Sequence, residues 1–224
     1  MSKQILVVAA HPDDEVLGCG GTMARHASNG DKVHVLFMSA GVGSRENVKN
    51  DEINERRICA KQASKILGSQ SPQFLNFPDN RMDSISLLDV VKSIELVIQE
   101  IGPDVVYTHH IGDLNIDHQI THKAVLTACR PQPESSVKEI YSFEVLSSTE
   151  WQTPGYHPFI PNVFVNIKEH MASKSEALQI YGEEMQKSPH SRTIKNSIRL
   201  NTIRGNSVGM DFSEAFSLVR KVYF

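Results

Sequence analysis

The sequence predicts an α/β fold: an open, mostly parallel sheet with helices on both faces, in a single domain over residues 1–224. Three observations carry this. Short apolar, β-branched runs alternate with longer segments of helical period through the first two-thirds of the chain. The first run, Ile5-Leu6-Val7-Val8-Ala9-Ala10, is apolar at every position, as a strand covered on both faces must be. A chain of 224 residues, 40% hydrophobic and 22% charged, is long enough for one ordinary core.

In order, the first strand is followed by a helix over 15–29, stopped at Asn29-Gly30. A strand over 32–39 leads into a glycine-rich loop, Ala40-Gly41-Val42-Gly43-Ser44. A charged helix covers 50–67 and ends at Gly68, a residue suited to the left-handed position after a helix. Gln73 to Phe77 reads as a strand closed by Pro78-Asp79-Asn80, and 84–101 as a helix stopped by Gly102-Pro103. The strand at 104–108 delivers His109-His110 and a polar cluster, before a helix over 120–128. Strands at 139–146 and 162–167 flank a loop holding Trp151, Pro154, Gly155, Pro158 and Pro161. A helix is expected over 168–186, with weaker helical patterns at 193–204 and 213–221.

Composition excludes several classes. The net charge of −3 comes from interspersed signs without a basic stripe, which argues against a nucleic-acid partner. No stretch approaches the ~20 apolar residues of a membrane span, and the start is too short in apolar residues for a signal peptide. Cys19, Cys59 and Cys129 are odd in number and form no CxxC pair, so they read as free thiols in a cytoplasmic protein, and any metal should use His and Asp.

The chemistry concentrates at strand ends. The first strand runs out into His11-Pro12-Asp13-Asp14, where a sheet interior would not tolerate unpaired polar groups. The bland reading of Pro12-Asp13-Asp14 is a turn with a helix cap. A second cluster, from Thr108 to His118, opens on the same sheet edge and weighs against it. Catalytic zinc takes three protein ligands and keeps one position open. His11 and Asp14, three apart, supply two, and His118 at the start of the following helix is the best third. Asp13 is then a carboxylate beside the metal, placed to take a proton from water. His26, His34, His157 and His170 read as structural.

Ala10-His11-Pro12-Asp13-Asp14-Glu15 with Asp117-His118 resembles the PIG-L / LmbE-like family of zinc-dependent N-deacetylases. The likeness extends through Gly18-Cys19-Gly20-Gly21-Thr22, Ile66-Leu67-Gly68, Pro103-Asp104-Val105-Val106 and Ala215-Phe216, covering nearly the whole chain. The resemblance implies a Rossmann-like (LmbE-like) sheet, one zinc per chain held by His11, Asp14 and His118, and Asp13 as general base. It implies an N-acetylglucosamine-type sugar or sugar conjugate as substrate, and relatives that assemble as trimers or hexamers. One position departs: the best-known members carry histidine where this chain has Asn115. Asparagine can donate to an oxyanion but cannot act as an acid. The acid role is open to His110 or His190, and Asp117 to orienting a ligand from behind.

The expected chemistry is amide hydrolysis, with Arg56, Arg81 and Arg192 as candidate substrate contacts against a null of surface ion pairing. Glu144 and Trp151 are candidate sugar contacts. Alternatives are an amidase acting on a larger acyl- or thiol-sugar conjugate, and a non-catalytic sugar-binding member. A nucleotide-binding reading is weak, because Gly18-Cys19-Gly20 does not complete G-x-G-x-x-G.

Overall fold

The structure, a computed structural model, describes residues 2–44 and 50–223. The strands are β1 (Gln4–Ala9), β2 (Lys32–Phe37), β3 (Gln73–Phe74), β4 (Val105–His109), β5 (Glu139–Phe143), β6 (Val163–Asn166) and β7 (Ser213–Lys221). They form one sheet in the order β3-β2-β1-β4-β5-β7-β6. The five strands from β3 to β5 are parallel, and β7 runs antiparallel to both β5 and β6. The helices are α1 (Asp14–Ser28), α2 (Asn50–Ile66), α3 (Leu87–Ile101), α4 (Ile116–Ala128), α5 (Met171–Ile180) and α6 (Ile194–Asn206).

Alternation along the strands sorts the core into two layers. Ile5, Val7 and Ala9 of β1, with Val33, Val35 and Phe37 of β2, pack under α1, α2 and α5. Leu6, Val8 and Leu36 face the other way, onto Val90, Val91 and Ile94 of α3 and Val125 of α4. Both faces are therefore covered, as the wholly apolar β1 requires. The order also sets the site. From β1 the chain builds outward through β2 and β3, then returns to lay β4 on the opposite side of β1. The crevice beyond the carboxyl ends of β1 and β4 is the switch point where open α/β sheets bind ligands.

α1 is interrupted at Cys19 (φ −148°, ψ 21°). A turn broken inside the core leaves helix N–H and C=O groups without intrahelical partners. A buried ion pair supplies them: Lys174 Nζ donates to Leu17 O (3.0 Å) and to Glu214 Oε1 (2.6 Å). Glu214 also accepts from Gly21 N (2.9 Å) and Thr22 N (2.7 Å). Gly18 is needed at this kink because a Cβ there would lie 2.3 Å from the Phe143 ring.

Several boundaries differ from the sequence expectation. Residues 213–221, expected as helix, are β7. Ala215, Phe216 and Val219 fit a helical stripe while Phe216 and Leu218 fit an alternating one, and antiparallel pairing with both β5 and β6 decides for strand. The helix expected over 168–186 is a 3-10 turn at Lys168–His170 followed by α5, which stops at Ile180. The 84–101 helix begins only at Leu87, after a 3-10 turn at Met82–Ser84. α4 starts at Ile116 instead of 120, because Asn115 caps it. Among the described residues, no helix is long and apolar enough to cross a membrane.

Candidate active site and metal centre

His11 leaves the end of β1, and Pro12 and Asp13 turn the chain so that α1 starts at Asp14. The three-residue spacing closes on itself, since His11 N donates to Asp14 Oδ2 (2.9 Å). From the far side of the crevice, the first turn of α4 presents Asp117 and His118. His11 Nδ1 and His118 Nε2 each lie 3.2 Å from Asp14 Oδ2, so two imidazoles converge on one carboxylate. The loop after β2 closes over them. Gly41 sits at φ +71°, where a Cβ would be 3.0 Å from that of His11, so the approach needs glycine.

Each imidazole is held from behind. His11 Nε2 lies 3.1 Å from Asp79 Oδ1 and 3.2 Å from Asp117 Oδ2. His118 Nδ1 lies 3.1 Å from Asp113 Oδ1. Asp117 is itself fixed by Asn80 N (2.7 Å) and Met82 N (3.0 Å). Asp113 accepts from Asn115 N (2.9 Å), Thr149 Oγ1 (2.7 Å) and the Ser148 hydroxyl. Carboxylates behind ligating histidines fix ring orientation and raise basicity.

The electrostatics call for a cation. Burial opposes charging His11, yet Asp117, Asp14 and Asp79 raise it well above the ordinary imidazole value. Burial likewise opposes His118, which Asp14 and Asp113 bring up to about 9. Against their own burial, Asp79 and Asp113 are held down to about 2, Asp79 by His11 and Asp113 by His118. Asp14 Oδ1 is buried without a hydrogen-bond partner among the described residues. Two imidazoles, one carboxylate with a free oxygen and backing carboxylates are a donor set that fits zinc.

Among the described residues, two other groups of side chains lie close enough to hold an ion: His109, Asp113 and His118, and His11, Asp79 and Asp117. Both are already engaged. His109 Nε2 accepts from Ala10 N (2.9 Å), and its ring stacks on His118 at 3.8 Å between centroids. Burial, then His118, keeps His109 well below its ordinary value and hence neutral. Asp79 accepts from Ser44 N (2.9 Å), and both Asp117 oxygens accept from backbone.

Asp13 is different. It sits at φ 119°, ψ −30°, a region costly to a residue with a Cβ and common at functional sites. Its Oδ2 accepts from Arg192 Nη1 (2.9 Å) and lies 3.5 Å from Arg56 Nη2, while its Oδ1 has no hydrogen-bond partner among the described residues. Burial raises its pKa, against the pull of Arg192 and Arg56. Asp13 lines a polar cavity of about 230 Å³ with His11, Asp79, Asn80, Asn115, His118 and Arg192.

The other expected residues divide. Arg56 and Arg192 line the cavity, but both are engaged: Arg56 with Glu184 (3.0 Å) and the Pro12 carbonyl, Arg192 Nε with Ser147 Oγ (2.8 Å). Arg81 is exposed and outside the lining. His110 Nε2 meets His157 O (2.7 Å), and Glu144 forms a two-pronged pair with Arg204 (2.8 and 2.7 Å), so neither enters the cavity. His190 Nδ1 accepts from Arg192 N (3.0 Å), and its ring meets Trp151 edge-on at 5.4 Å. Asn115 Oδ1 caps α4 by accepting from Asp117 N (2.8 Å), and its Nδ2 donates to Asn80 Oδ1 (2.9 Å). Sequence reasoning missed Asp79, Asn80, His109 and Asp113. Their signal was position: Asp79 and Asn80 close β3, and His109 and Asp113 lie in the segment leaving β4.

Residues 6–129 match the family model described as PIG-L: GlcNAc-PI de-N-acetylase. The chain is 36% identical over 172 residues to the uncharacterized deacetylase YaiS of Escherichia coli (strain K12), 75% of this chain and 83% of that protein. It is 26% identical over 203 residues to a probable N-acetyl-alpha-D-glucosaminyl L-malate deacetylase 2 of Bacillus cereus, 88% of this chain and 91% of that one. An N,N'-diacetylchitobiose deacetylase from Pyrococcus horikoshii shares the fold, with TM-score 0.80 and 20% identity over 98% of this chain and 84% of that one. The chain belongs to the PIG-L family, and so to a family of deacetylases that hydrolyse amide bonds.

Proposed function

We propose that this protein is a zinc-dependent deacetylase that removes the acetyl group from an N-acetylglucosamine-type sugar or sugar conjugate. The observation that carries the reading is the pairing of two features in one cavity. His11 Nδ1 and His118 Nε2 converge on Asp14, and Asp13 has one anchored and one free carboxylate oxygen beside them. His11, Asp14 and His118 would hold the metal, which when bound supplies Lewis-acid polarisation of water and of the amide carbonyl.

The chain's own groups do the rest. Asp13 Oδ1 takes the proton from the attacking water, while Arg192 and Arg56 hold Oδ2 and keep the carboxylate aimed. After the tetrahedral intermediate forms, Asp13 returns that proton to the departing amine, which makes a separate histidine acid unnecessary. Asn115 Nδ2 has one hydrogen beyond the bond to Asn80, and it is the donor for the oxyanion. On this reading Arg56 and Arg192 serve the base rather than the substrate. The whole chain, 1–224, acts as one catalytic domain, and its free thiols suit a cytoplasmic enzyme.

The test is a panel of N-acetylglucosamine, di-N-acetylchitobiose and N-acetylglucosaminyl malate with zinc-loaded protein, measuring acetate and free amine. Equal release of both from at least one sugar is the expected result. Asp14→Ala should lose zinc affinity, and Asp13→Asn should keep zinc yet turn over at least ~100-fold more slowly. No release from any sugar, or full activity in Asp13→Asn, overturns the reading.

A further inference from the structure

Beside the base, the mechanism leaves the buried pair Glu15 and Tyr181 unused. Glu15 and Tyr181 are each 1% exposed, and Tyr181 Oη donates to Glu15 Oε1 (2.7 Å). Glu15 has both carboxyl oxygens engaged by the protein. Its other oxygen, Oε2, accepts from the backbone N–H of Asp13 (2.9 Å). On the other side of the same peptide unit, the Pro12 carbonyl accepts from Arg56 Nη2. The Arg56 guanidinium in turn lies over the Tyr181 ring, 5.1 Å from its centroid. The peptide plane between residues 12 and 13 is thus gripped at both its oxygen and its N–H, and Tyr181 touches both grips.

That plane matters because its rotation changes φ of Asp13, which stands at 119°. Rotating it would let residue 13 fall back to negative φ, relieving strain of roughly 1–3 kcal/mol and swinging the carboxylate away from its present direction. We propose that Glu15 and Tyr181 are positioning residues that hold the Pro12–Asp13 peptide plane, and through it keep the Asp13 carboxylate trained on the reacting water. Glu15 acts on the N–H directly. Tyr181 acts by orienting Glu15 and by packing under Arg56. This rests on Asp13 being the base, and the test separates the two.

Glu15→Ala, Glu15→Gln and Tyr181→Phe are prepared with zinc, and each is examined by crystallography, zinc affinity, and kcat and KM for acetate release from N-acetylglucosamine. Glu15→Ala should move residue 13 out of positive φ in the crystal and lower kcat at least ten-fold, with zinc affinity and KM changed less than three-fold. Glu15→Gln keeps an oxygen for the Asp13 N–H and should retain φ 13 and most of kcat. Tyr181→Phe, a milder change, should fall between them. In an Asp13→Asn background, Glu15→Ala should cause no further loss of kcat, because the two act through one group. Residue 13 unmoved in Glu15→Ala, or kcat lost in Glu15→Gln as fully as in Glu15→Ala, overturns the proposal. If Asp13→Asn is fully active, or no acetate is released by the wild type, the function reading fails, while the crystal geometry still decides whether Glu15 holds the plane. Should Glu15→Ala not fold, Tyr181→Phe carries the test: unchanged kcat and unchanged φ 13 refute it.

Discussion

Glu214→Ala should be among the most destabilising single changes in this protein, although Glu214 lies outside the cavity lined by Asp13. The wild-type carboxylate accepts from Lys174 Nζ, Gly21 N and Thr22 N, and both partners of the ion pair are 1% exposed at the side chain. Removing it leaves an ammonium with only Leu17 O as acceptor, and two N–H groups at the kink of α1 without partners. Breaking a buried pair from one side costs about 3–5 kcal/mol, and each orphaned N–H would add ~1–3 kcal/mol if no water entered. Loss of charge on Lys174 and entry of water into the cavity offset part of this, so the expected loss is about 3–5 kcal/mol. For a chain of this size that is a fall in Tm of roughly 6–20 °C. Urea denaturation of the zinc-loaded protein measures it. Lys174→Met combined with Glu214→Gln removes both charges and keeps an acceptor for the α1 N–H groups. The double variant should therefore recover more than ~1 kcal/mol relative to the sum of the single variants. Stability of Glu214→Ala within ~1 kcal/mol of wild type, or strict additivity in the double variant, would refute the account of the kink.

Three further outcomes follow from the site and core. Asp113→Asn removes the charge behind His118 while keeping its shape, and should weaken zinc binding ~10- to 100-fold in competition with a chelator; unchanged affinity would show that Asp113 does not tune this ligand. Asn115→Ala should lose about 1 kcal/mol of stability from the α4 cap and also lower kcat at least ten-fold, and a loss of stability alone would assign Asn115 to the cap only. Burial raises the Cys19 thiol far above its ordinary value and Cys129 to about 12, leaving about one part in 10⁴ of Cys129 as thiolate at pH 8. A disulfide reagent at pH 8 should therefore titrate no more than Cys59 in the native protein and all three thiols in denaturant; rapid native reaction of two would show that the core opens.

The sequence by itself determined the parts of this protein that depend on local order. The wholly apolar β1 required a sheet covered on both faces, and the alternation that followed required parallel strands joined by helices. His11-Pro12-Asp13-Asp14 at a strand end determined that two of the candidate metal ligands would share one loop, because a three-residue spacing with proline between lets Asp14 turn back to His11. Tertiary structure decided what depends on distant pairing. Whether 213–221 became strand or helix was set by hydrogen bonding to β5 and β6, since its apolar spacing suits either period. The roles of the arginines were decided in the same way. Nothing local distinguishes Arg56, Arg81 and Arg192, yet the fold places two against Asp13 and leaves the third exposed. Asp79 and Asp113 are ordinary loop carboxylates in the sequence, and only Asp117, beside His118, was legible there as a group that could orient a ligand. They become supports for imidazoles only because the fold brings the loop after β3 and the segment leaving β4 together around His11 and His118. Glu214 is the clearest case: its segment reads locally as helix, and the fold makes it a strand and buries Glu214, 193 residues from the Gly21 N–H it satisfies.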